Sequence, residues 1–429
     1  MFAEIISIGD EILIGQIANT NAAWMAQQLN MIGIPVRQLT TVGDNKKDIL
    51  KSFSSAKQRA DIILITGGLG PTNDDITKSV LCDFFHAKLI FNSKCFENVK
   101  HQFQIRGTIM LPENIHQAEV LENCTPIHNM HGTAPGMWIG IFKNKIFVAL
   151  PGVPYEMKAM MQDFIIPELK KRFHSQVILH KTILTQGTGE TFIAKKIKHW
   201  ENSLAAHGIK LAYLPSPGIV KLRLSVLGTD EIKLSETINK KIEELIPLLG
   251  DYFFGIEEYG KEPLTIEKII CKMLNDRKQT LAVAESCTGG YIGHLITSIP
   301  GSSDYFKGGI IAYSNEIKTS ILGVDKNTLM AKGVVSKEVA ELMATGVRKK
   351  MHSDFGIATT GIAGPTGGTS KKPIGTVWIA VSSSEKIIAE KFNFGNDRER
   401  NIRKTALAAF SMLRKLLVNS YIPNESESL

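Results

Sequence analysis

The chain has 429 residues, a length that suits two or three domains at about 150 residues each. Hydrophobic residues at 43% and charged residues at 21% are ordinary globular values, which excludes wholesale disorder. Fifty Lys and Arg against forty-two Asp and Glu leave a net charge of +8, scattered rather than run together, which permits anionic ligands without arguing for a nucleic-acid scaffold. The five cysteines (Cys82, Cys95, Cys124, Cys271 and Cys287) are odd in number and form no CxxC. Their spacing fits neither a zinc knuckle nor a disulfide framework, so a reduced, cytoplasmic chain is expected. Acids at Glu4, Asp10 and Glu11 speak against a secretory leader, and the apolar run from Ile139 to Val148 is broken by Lys143 and Lys145, too short to span a bilayer.

In chain order, the first third alternates strand and helix. Ala3–Ile8 reads as a strand ending in Gly9, followed by a helix near Asn21–Asn30. Strands at Asp61–Thr66 and Lys145–Leu150 stop at Gly67-Gly68 and Pro151-Gly152, and a helix follows over Tyr155–Phe173. Short apolar strands each followed by a helix predict a parallel sheet covered on both faces, with ligands beyond the carboxyl ends of the strands. Strands at Val177–Leu184 and Lys221–Leu227 and helices at Ile193–Trp200 and Leu234–Leu249 then predict a small α+β domain, followed by a linker over Asp251–Pro263. The last third is again α/β: a helix at Leu264–Asn275, strands at Thr280–Ala284, Ile310–Tyr313, Phe355–Thr359, Val377–Val381 and Lys386–Phe392, and a final helix at Arg398–Val418. The tail NESESL is expected to fray.

Two loops of the first domain carry chemistry. GDEILIG places Asp10 and Glu11 directly after the first strand, and TGGLGPTNDDIT gives a glycine run and then Thr72, Asn73, Asp74 and Asp75 opening a helix. Glycines let backbone N–H groups approach a phosphate, a helix start favours anions, and carboxylates suit Mg²⁺ or Mn²⁺. The same two aspartates would serve equally as helix caps. The run matches neither GxGxxG nor GxxxxGK followed by Ser or Thr, so neither a P-loop nor a standard dinucleotide fold is expected.

SIGDEILIGQIANTN, LITGGLGPTNDDIT, HGTAPGMW and LPGVPYEM, in that order over Met1–Phe173, resemble the molybdopterin-binding-type domain that opens the CinA (competence/damage-inducible) family. The resemblance implies hydrolysis of ADP-ribose at its diphosphate with a divalent metal (Mg, Mn or Co). It puts Asp10, Glu11, Gly67, Gly68, Gly70, Thr72 and the segment Gly132–Gly136 around the substrate, with Asp74 and Asp75 on the metal. One departure is His116 in ENIHQAEV, where a basic residue is expected. The middle domain resembles the family's KH-like connector but has only GTGE (Gly187–Glu190) in place of a GxxG clamp, so nucleic-acid binding is not expected.

AESCTGG, GSSDYFKGGIIAYSNEIKTSILGV, GVVS, TTGIAGPTGG, KPIGTVWIAV and NDRERNIR resemble the CinA C-terminal domain, a nicotinamide mononucleotide amidohydrolase. The implied architecture is three domains: 1–174 of the molybdopterin-binding type, 175–255 KH-like and α+β, and 262–420 of the CinA C-terminal α/β type. Amide hydrolysis on a phosphorylated substrate needs a nucleophile, a base, oxyanion donors and a phosphate anchor. The family pattern maps these onto Ser286, Ser303, Tyr313, Lys318, Thr360 and Arg398, with no cofactor.

Within that set Ser303 is the expected nucleophile, Lys318 its base and Tyr313 a proton relay. Ser286 and the backbone through Gly289 and Gly290 would contact the oxyanion or carboxamide. Thr360 and Gly361 open a second glycine-rich loop, and Arg398 would hold the 5′-phosphate. Ser286 and Cys287 remain alternative nucleophiles, since a cysteine at a helix start is expected to have a lowered pKa. Taken singly, Ser286 reads as an N-cap, Lys318 as a solvated helix lysine and Arg398 as a surface ion-pair partner. His101, His207 and His294 have no ligand-like spacing, so no zinc is expected. The resulting expectation is a two-headed cytoplasmic enzyme of pyridine-nucleotide recycling, acting as a homodimer. A first domain that only binds a pterin-type cofactor and a DNA-associated competence factor are the alternatives.

Overall fold

The computed structural model describes residues 1–72, 74–141, 145–173 and 176–419, which leaves Asn73, Lys143 and the NESESL tail outside the described residues. Two compact units are present, Met1–Leu179 with Val226–Glu236, and His180–Ser225 with Thr237–Leu429. Among the described residues no helix is long and apolar enough to cross a membrane.

Among the described residues, the first unit contains the strands β1 (Ala3–Ile8), β2 (Val36–Val42), β3 (Ile62–Thr66), β4 (Leu89–Phe91), β5 (Glu119–Leu121), β6 (Thr125–Ile127), β7 (Gly136–Ile141) and β8 (Lys145–Leu150). Six of them form one sheet in the order β2-β1-β3-β8-β7-β6, and β4 pairs with β5. β1, β2, β3 and β8 run parallel, whereas β7 is antiparallel to both β8 and β6. The expected all-parallel sheet is therefore corrected to a mixed one.

Alternation along the central strands divides the core in two. Ile6, Ile8, Ile63, Ile65 and Phe147 face helix Lys46–Arg59 through Ile49 and Phe53. Ile5, Ile62, Leu64 and Val148 face helix Thr20–Met31 through Met25 and Leu29. That helix begins where Asn19 accepts the Ala22 N–H. Glu4, fully buried on β1, is neutralised by Arg59, whose guanidinium donates to both carboxylate oxygens at 2.6 and 3.2 Å. The single helix expected over Tyr155–Phe173 is interrupted by a π-type turn at Met161–Ile165, between helices Pro154–Met160 and Ile166–Arg172.

The connector sheet has the order β10-β11-β9-β12, from β9 (Val177–Gln186), β10 (Lys210–Ser216), β11 (Ile219–Gly228) and β12 (Phe253–Glu258). β12 occupies half of the segment read as a linker. It pairs antiparallel with β9 despite the acidic sequence, because an edge strand tolerates charge on its exposed face. Helices Glu190–Leu204 and Glu231–Leu249 accompany the sheet, tied where the Trp200 indole N–H donates to the Lys241 carbonyl at 3.0 Å.

The C-terminal sheet has the order β14-β13-β15-β16-β17, from β13 (Leu281–Glu285), β14 (Phe306–Ile311), β15 (Phe355–Gly361), β16 (Thr376–Ser382) and β17 (Ile387–Asn393). β13 is parallel to both β14 and β15, and β16 and β17 continue antiparallel. Helices Ile266–Asp276, Tyr291–Thr297 and Arg398–Asn419 cover one face. Helix Lys337–Lys350 covers the other, against the small side chains Ala282, Ala284, Ala358 and Ala380. It approaches so closely that a Cβ on Gly356 would lie 2.2 Å from the Ala344 carbonyl oxygen.

Gly67 ends β3 with φ +111°, and a Cβ there would lie 2.1 Å from the Ile8 carbonyl oxygen. Neither the backbone conformation nor the space admits a side chain. Gly67→Ala is expected to lower stability by more than about 2 kcal/mol in denaturant unfolding, and an unchanged midpoint would contradict this packing.

Candidate functional site

Two crevices open beyond strand ends, one in each unit. The first is a cavity of about 570 Å³ at the carboxyl ends of β1, β3 and β8. Its lining includes Glu11, Asp44, Asp74, Asp75 and Glu156 beside the backbone of Gly67, Gly68 and Gly70, and Thr133 and Ala134 of the HGTAPGMW segment. The Thr77 hydroxyl donates to the Gly67 carbonyl at 2.9 Å, and Gly68 lies so close to that side chain that a Cβ would meet its oxygen at 2.2 Å. The glycines thus fix the loop against the start of helix Thr77–Phe85.

Asp10 does not line the cavity. It pairs with Asp44 instead: the Asp10 N–H donates to the Asp44 carboxylate at 3.0 Å, and the Asp44 N–H donates to the Asp10 carboxylate at 3.2 Å. Thr72 is also outside the lining, because its N–H and hydroxyl both donate to one oxygen of Asp75. His116 sits elsewhere on the surface, 3.1 Å from Glu119, so its departure from the family pattern does not touch this cavity. Asp44 and Glu156 were not foreseen. Nothing in the sequence near Asp44 marks it; the strand β2 brings it beside Asp10. Glu156 is nearly buried, accepts the Asn129 amide at 2.7 Å and occupies the space beside Gly132.

Burial is the main cause that raises the Asp44 pKa; the Asp10 N–H opposes it, and the charges of Asp10, Glu11 and Asp74 add to it. The exposed Asp74 is held below the usual carboxylate range, chiefly by the neighbouring Thr72 side chain. This donor set suits a hard divalent cation, since mutual repulsion of carboxylates is relieved by one. Among the described residues no three His, Cys, Asp or Glu side chains gather as ligands, so such a cation would take further oxygens from water or a bound phosphate.

The second crevice, about 250 Å³, lies beyond the carboxyl ends of β13, β14 and β15. Ser286, Cys287, Tyr313, Lys318, Thr360, Gly361 and Arg398 line it together with Asn315, Val334, Val335 and Ala363. Its foundation is Glu285, the last residue of β13 and 1% exposed, which accepts the N–H groups of Gly290, Ile292 and Gly293 at 2.8–3.0 Å. This buried carboxylate holds the start of helix Tyr291–Thr297 and so aims the AESCTGG turn. Gly289 and Gly290 take positive φ in that turn, but their N–H groups are spent on the Ser286 carbonyl and on Glu285, and neither lines the crevice. The expected substrate contact from these two glycines is therefore corrected to a structural role.

Lys318 is 1% exposed rather than solvated, and its ammonium donates to the Ala312 carbonyl at 2.7 Å and the Tyr313 carbonyl at 3.4 Å. Burial lowers its pKa, opposed by Cys287. Cys287 is itself buried and its thiol is pushed up to about 12, mainly by burial, which overturns the lowered value expected of a helix-start cysteine. Thr360 donates to the Val334 carbonyl at 2.9 Å, fixing the GVVS loop. Arg398 donates to the Gly364 carbonyl at 2.7 Å and to the Tyr313 hydroxyl at 3.1 Å, so it faces the crevice rather than a surface acid.

Ser303 is not in this crevice. It lies in the 3₁₀ turn Ser302–Asp304, before β14, whereas Tyr313 and Lys318 follow the other end of that strand. The length of the strand, roughly 17–20 Å, separates it from Lys318 within one chain. The serine that lines the crevice with Lys318 is Ser286, beside Thr360 and Tyr313.

Two outcomes follow from these environments. In the native protein, peptide mapping after iodoacetamide at neutral pH should find Cys287 unlabelled, and rapid labelling would contradict its burial. Because the folded-state pKa of Lys318 lies below its unfolded value, its charged form is penalised by folding at neutral pH. That penalty fades as pH rises toward about 10.5. The stability of the parent relative to Lys318→Met should therefore increase with pH over that window in thermal unfolding, and a flat difference would contradict the desolvation.

Three family models match successive segments of the chain: "Probable molybdopterin binding domain" over residues 4–171, "Damage-inducible protein CinA KH domain" over 180–255 and "CinA C-terminal domain" over 264–417. A "CinA-like protein" of Cytophaga hutchinsonii is 43% identical over 97% of this chain and 98% of its own. One of Flavobacterium psychrophilum is 44% identical over 98% of this chain and 100% of its own. The crystal structure of the competence/damage inducible protein CihA from Agrobacterium tumefaciens is 33% identical, covering 37% of this chain and 98% of that one, with a TM-score of 0.35. With full-length relatives above 40% identity and all three domain types in order, the chain belongs to the CinA family.

Proposed function

We propose that the protein is a two-headed hydrolase of pyridine nucleotides. Its C-terminal head would deamidate nicotinamide mononucleotide, and its N-terminal head would hydrolyse ADP-ribose at the diphosphate. The observation that carries this reading is the meeting of a buried lysine, a serine, a threonine, a tyrosine and an arginine in one crevice at the ends of β13, β14 and β15.

In the C-terminal head the Ser286 hydroxyl attacks the carboxamide carbon while Lys318, in its neutral form, takes the hydroxyl proton. Desolvation makes that form accessible. The C–N bond then breaks, the proton passes to the departing nitrogen, and ammonia leaves. Water next hydrolyses the acyl ester, with Lys318 again acting as base. The Tyr313 hydroxyl, already bonded to Arg398, orients the proton path, and the remaining guanidinium N–H groups take the 5′-phosphate. No metal is needed for these steps.

In the N-terminal head the glycine turn at Gly67–Gly70 lets the diphosphate come close to backbone, and Asp74 and Asp75 would hold the cation together with water and phosphate oxygens, with Glu11 and Asp44 lining the same cavity. When bound, that divalent cation supplies charge neutralisation for the diphosphate. A cytoplasmic, homodimeric enzyme is the setting this reading assumes.

Ammonia release from nicotinamide mononucleotide, followed without added metal, tests the C-terminal head. Ser286→Ala and Lys318→Ala should each lose at least about 100-fold in kcat while remaining folded, and Ser303→Ala should keep most of the activity. Loss in Ser303→Ala alone would move the attacking hydroxyl to a position that only a second copy of the chain could bring to Lys318. An inert parent would remove the amidohydrolase reading. For the other head, EDTA should abolish formation of AMP and ribose 5-phosphate from ADP-ribose while leaving ammonia release intact. Asp44→Asn should lower the rate at saturating Mg²⁺, and ADP-ribose cleavage that persists in EDTA would exclude the cation.

A further inference from the structure

Neither proposed reaction gives a role to GVVS (residues 333–336) or to Lys372, the lysine that opens KPIGTVWIAV. The structure joins them. Residues 333–336 connect helix Lys326–Lys332 to helix Lys337–Lys350, and Val334 and Val335 line the C-terminal crevice. Lys372 stands outside that lining, in the loop between β15 and β16. Its half-buried side chain reaches the segment from there: the ammonium donates to the Val335 carbonyl at 2.7 Å and to the Lys332 carbonyl at 3.2 Å. The approach is close, since a Cβ on Gly333 would lie 3.3 Å from Lys372 Nζ.

Every carbonyl from residue 332 to residue 335 is thereby taken by a side chain. The Ser336 hydroxyl donates to Gly333 at 2.8 Å and the Thr360 hydroxyl to Val334 at 2.9 Å, beside the two bonds from Lys372. Lys372 ties the two ends of this stretch, and its charge suits the carboxyl end of helix Lys326–Lys332. Without it two carbonyls lose their partner, and the valines between them are free to shift. Val334 and Val335 are both partly exposed, so their side chains are reachable. Among the described lining residues they are the aliphatic side chains larger than a methyl group, whereas Ser286, Tyr313, Asn315, Lys318, Thr360 and Arg398 are polar. A flat heteroaromatic ring gains by leaving water for such an apolar surface, while the phosphate of the same substrate goes to Arg398.

We infer that Val334 and Val335 form the wall that receives the pyridine ring in the C-terminal head, and that Lys372 is a positioning residue that holds this wall without touching the substrate. The inference rests on the amidohydrolase reading and adds to it the surface that tells a ring-bearing ribose phosphate from a bare one.

Ammonia release by the full chain tests this, with ribose 5-phosphate as a competitive inhibitor that carries the phosphate but no ring. In Lys372→Met the KM for nicotinamide mononucleotide should rise at least about fivefold while kcat stays within about threefold, the pattern of lost ground-state binding. The Ki of ribose 5-phosphate should stay within about twofold, because the loss is confined to the ring. Lys372→Arg, which keeps donors for both carbonyls, should restore the parent KM. Val335→Ala should show the same split, and combining it with Lys372→Met should cost less than the product of the two effects, since both act through one wall. An unchanged KM in Lys372→Met or in Val335→Ala overturns the inference and leaves the amidohydrolase reading standing, whereas an inert parent removes both. Equal weakening of ribose 5-phosphate, or no rescue by arginine, would overturn the positioning role of Lys372. Should Lys372→Met fail to fold in a circular dichroism melt, Lys372→Gln, which keeps a donor for one carbonyl, is read in its place.

Discussion

A parallel strand whose two neighbours are reached by connections on opposite faces leaves a crevice beyond its carboxyl end. This chain builds that crevice twice. β1 sits between β2 and β3, and the helices Thr20–Met31 and Lys46–Arg59 that follow β1 and β2 lie on opposite faces of the sheet. β13 sits between β14 and β15, with Tyr291–Thr297 on one face and Lys337–Lys350 on the other. The residues of the two candidate sites gather around the carboxyl ends of these two strands, from them and from neighbouring elements. The loops that leave them have no neighbouring connection to collide with, so they are free to hold polar groups around open space.

The two crevices are then charged in opposite senses. The first gathers carboxylates from separate loops, and their mutual repulsion, added to burial, makes Asp44 reluctant to ionise alone. The second places a lysine out of water and an arginine at its mouth. In each, one buried acid does purely structural work: Glu156 against Asn129 in the first, and Glu285 under the AESCTGG turn in the second. A carboxylate that accepts three backbone N–H groups replaces much of the hydration it loses, so Glu285 can be buried without a cationic partner. The turn above it is thereby held in place, as the attack proposed for the Ser286 hydroxyl would require.

Much of the fold was legible because its signals are local. Apolar runs ending in a glycine, proline or polar turn marked β1, β3, β8, β13 and β15 within a residue or two, since strand interiors must be apolar when both faces are covered. β2 and β12 were not read, because edge strands carry polar and acidic residues that mimic loops. The antiparallel course of β7 was also invisible, because a strand's direction depends on the partner it finds and leaves no trace in its own composition. At the sites, residue types were a sound guide where a motif ends a strand, as at Ser286, Thr360 and Gly67. They misled where the argument needed distance: Ser303, Thr72, Asp10, Gly289 and Gly290 stand in the right motifs but have other partners or lie at another end of the sheet.

The sequence by itself determined the three domain types, the order of the glycine-bearing turns and the set of polar residues offered to each crevice, because each of these is written in consecutive residues. The tertiary structure alone decided which of them meet. It buried Lys318 and Cys287, which shift by desolvation, a property no motif encodes. It set Asp44 beside Asp10 across 34 positions of chain. It also left Gln186 facing Leu407 across 221, with an oxygen unpaired. Burial and proximity between distant segments arise only when the sheets assemble, and charge, acidity and reach follow from them.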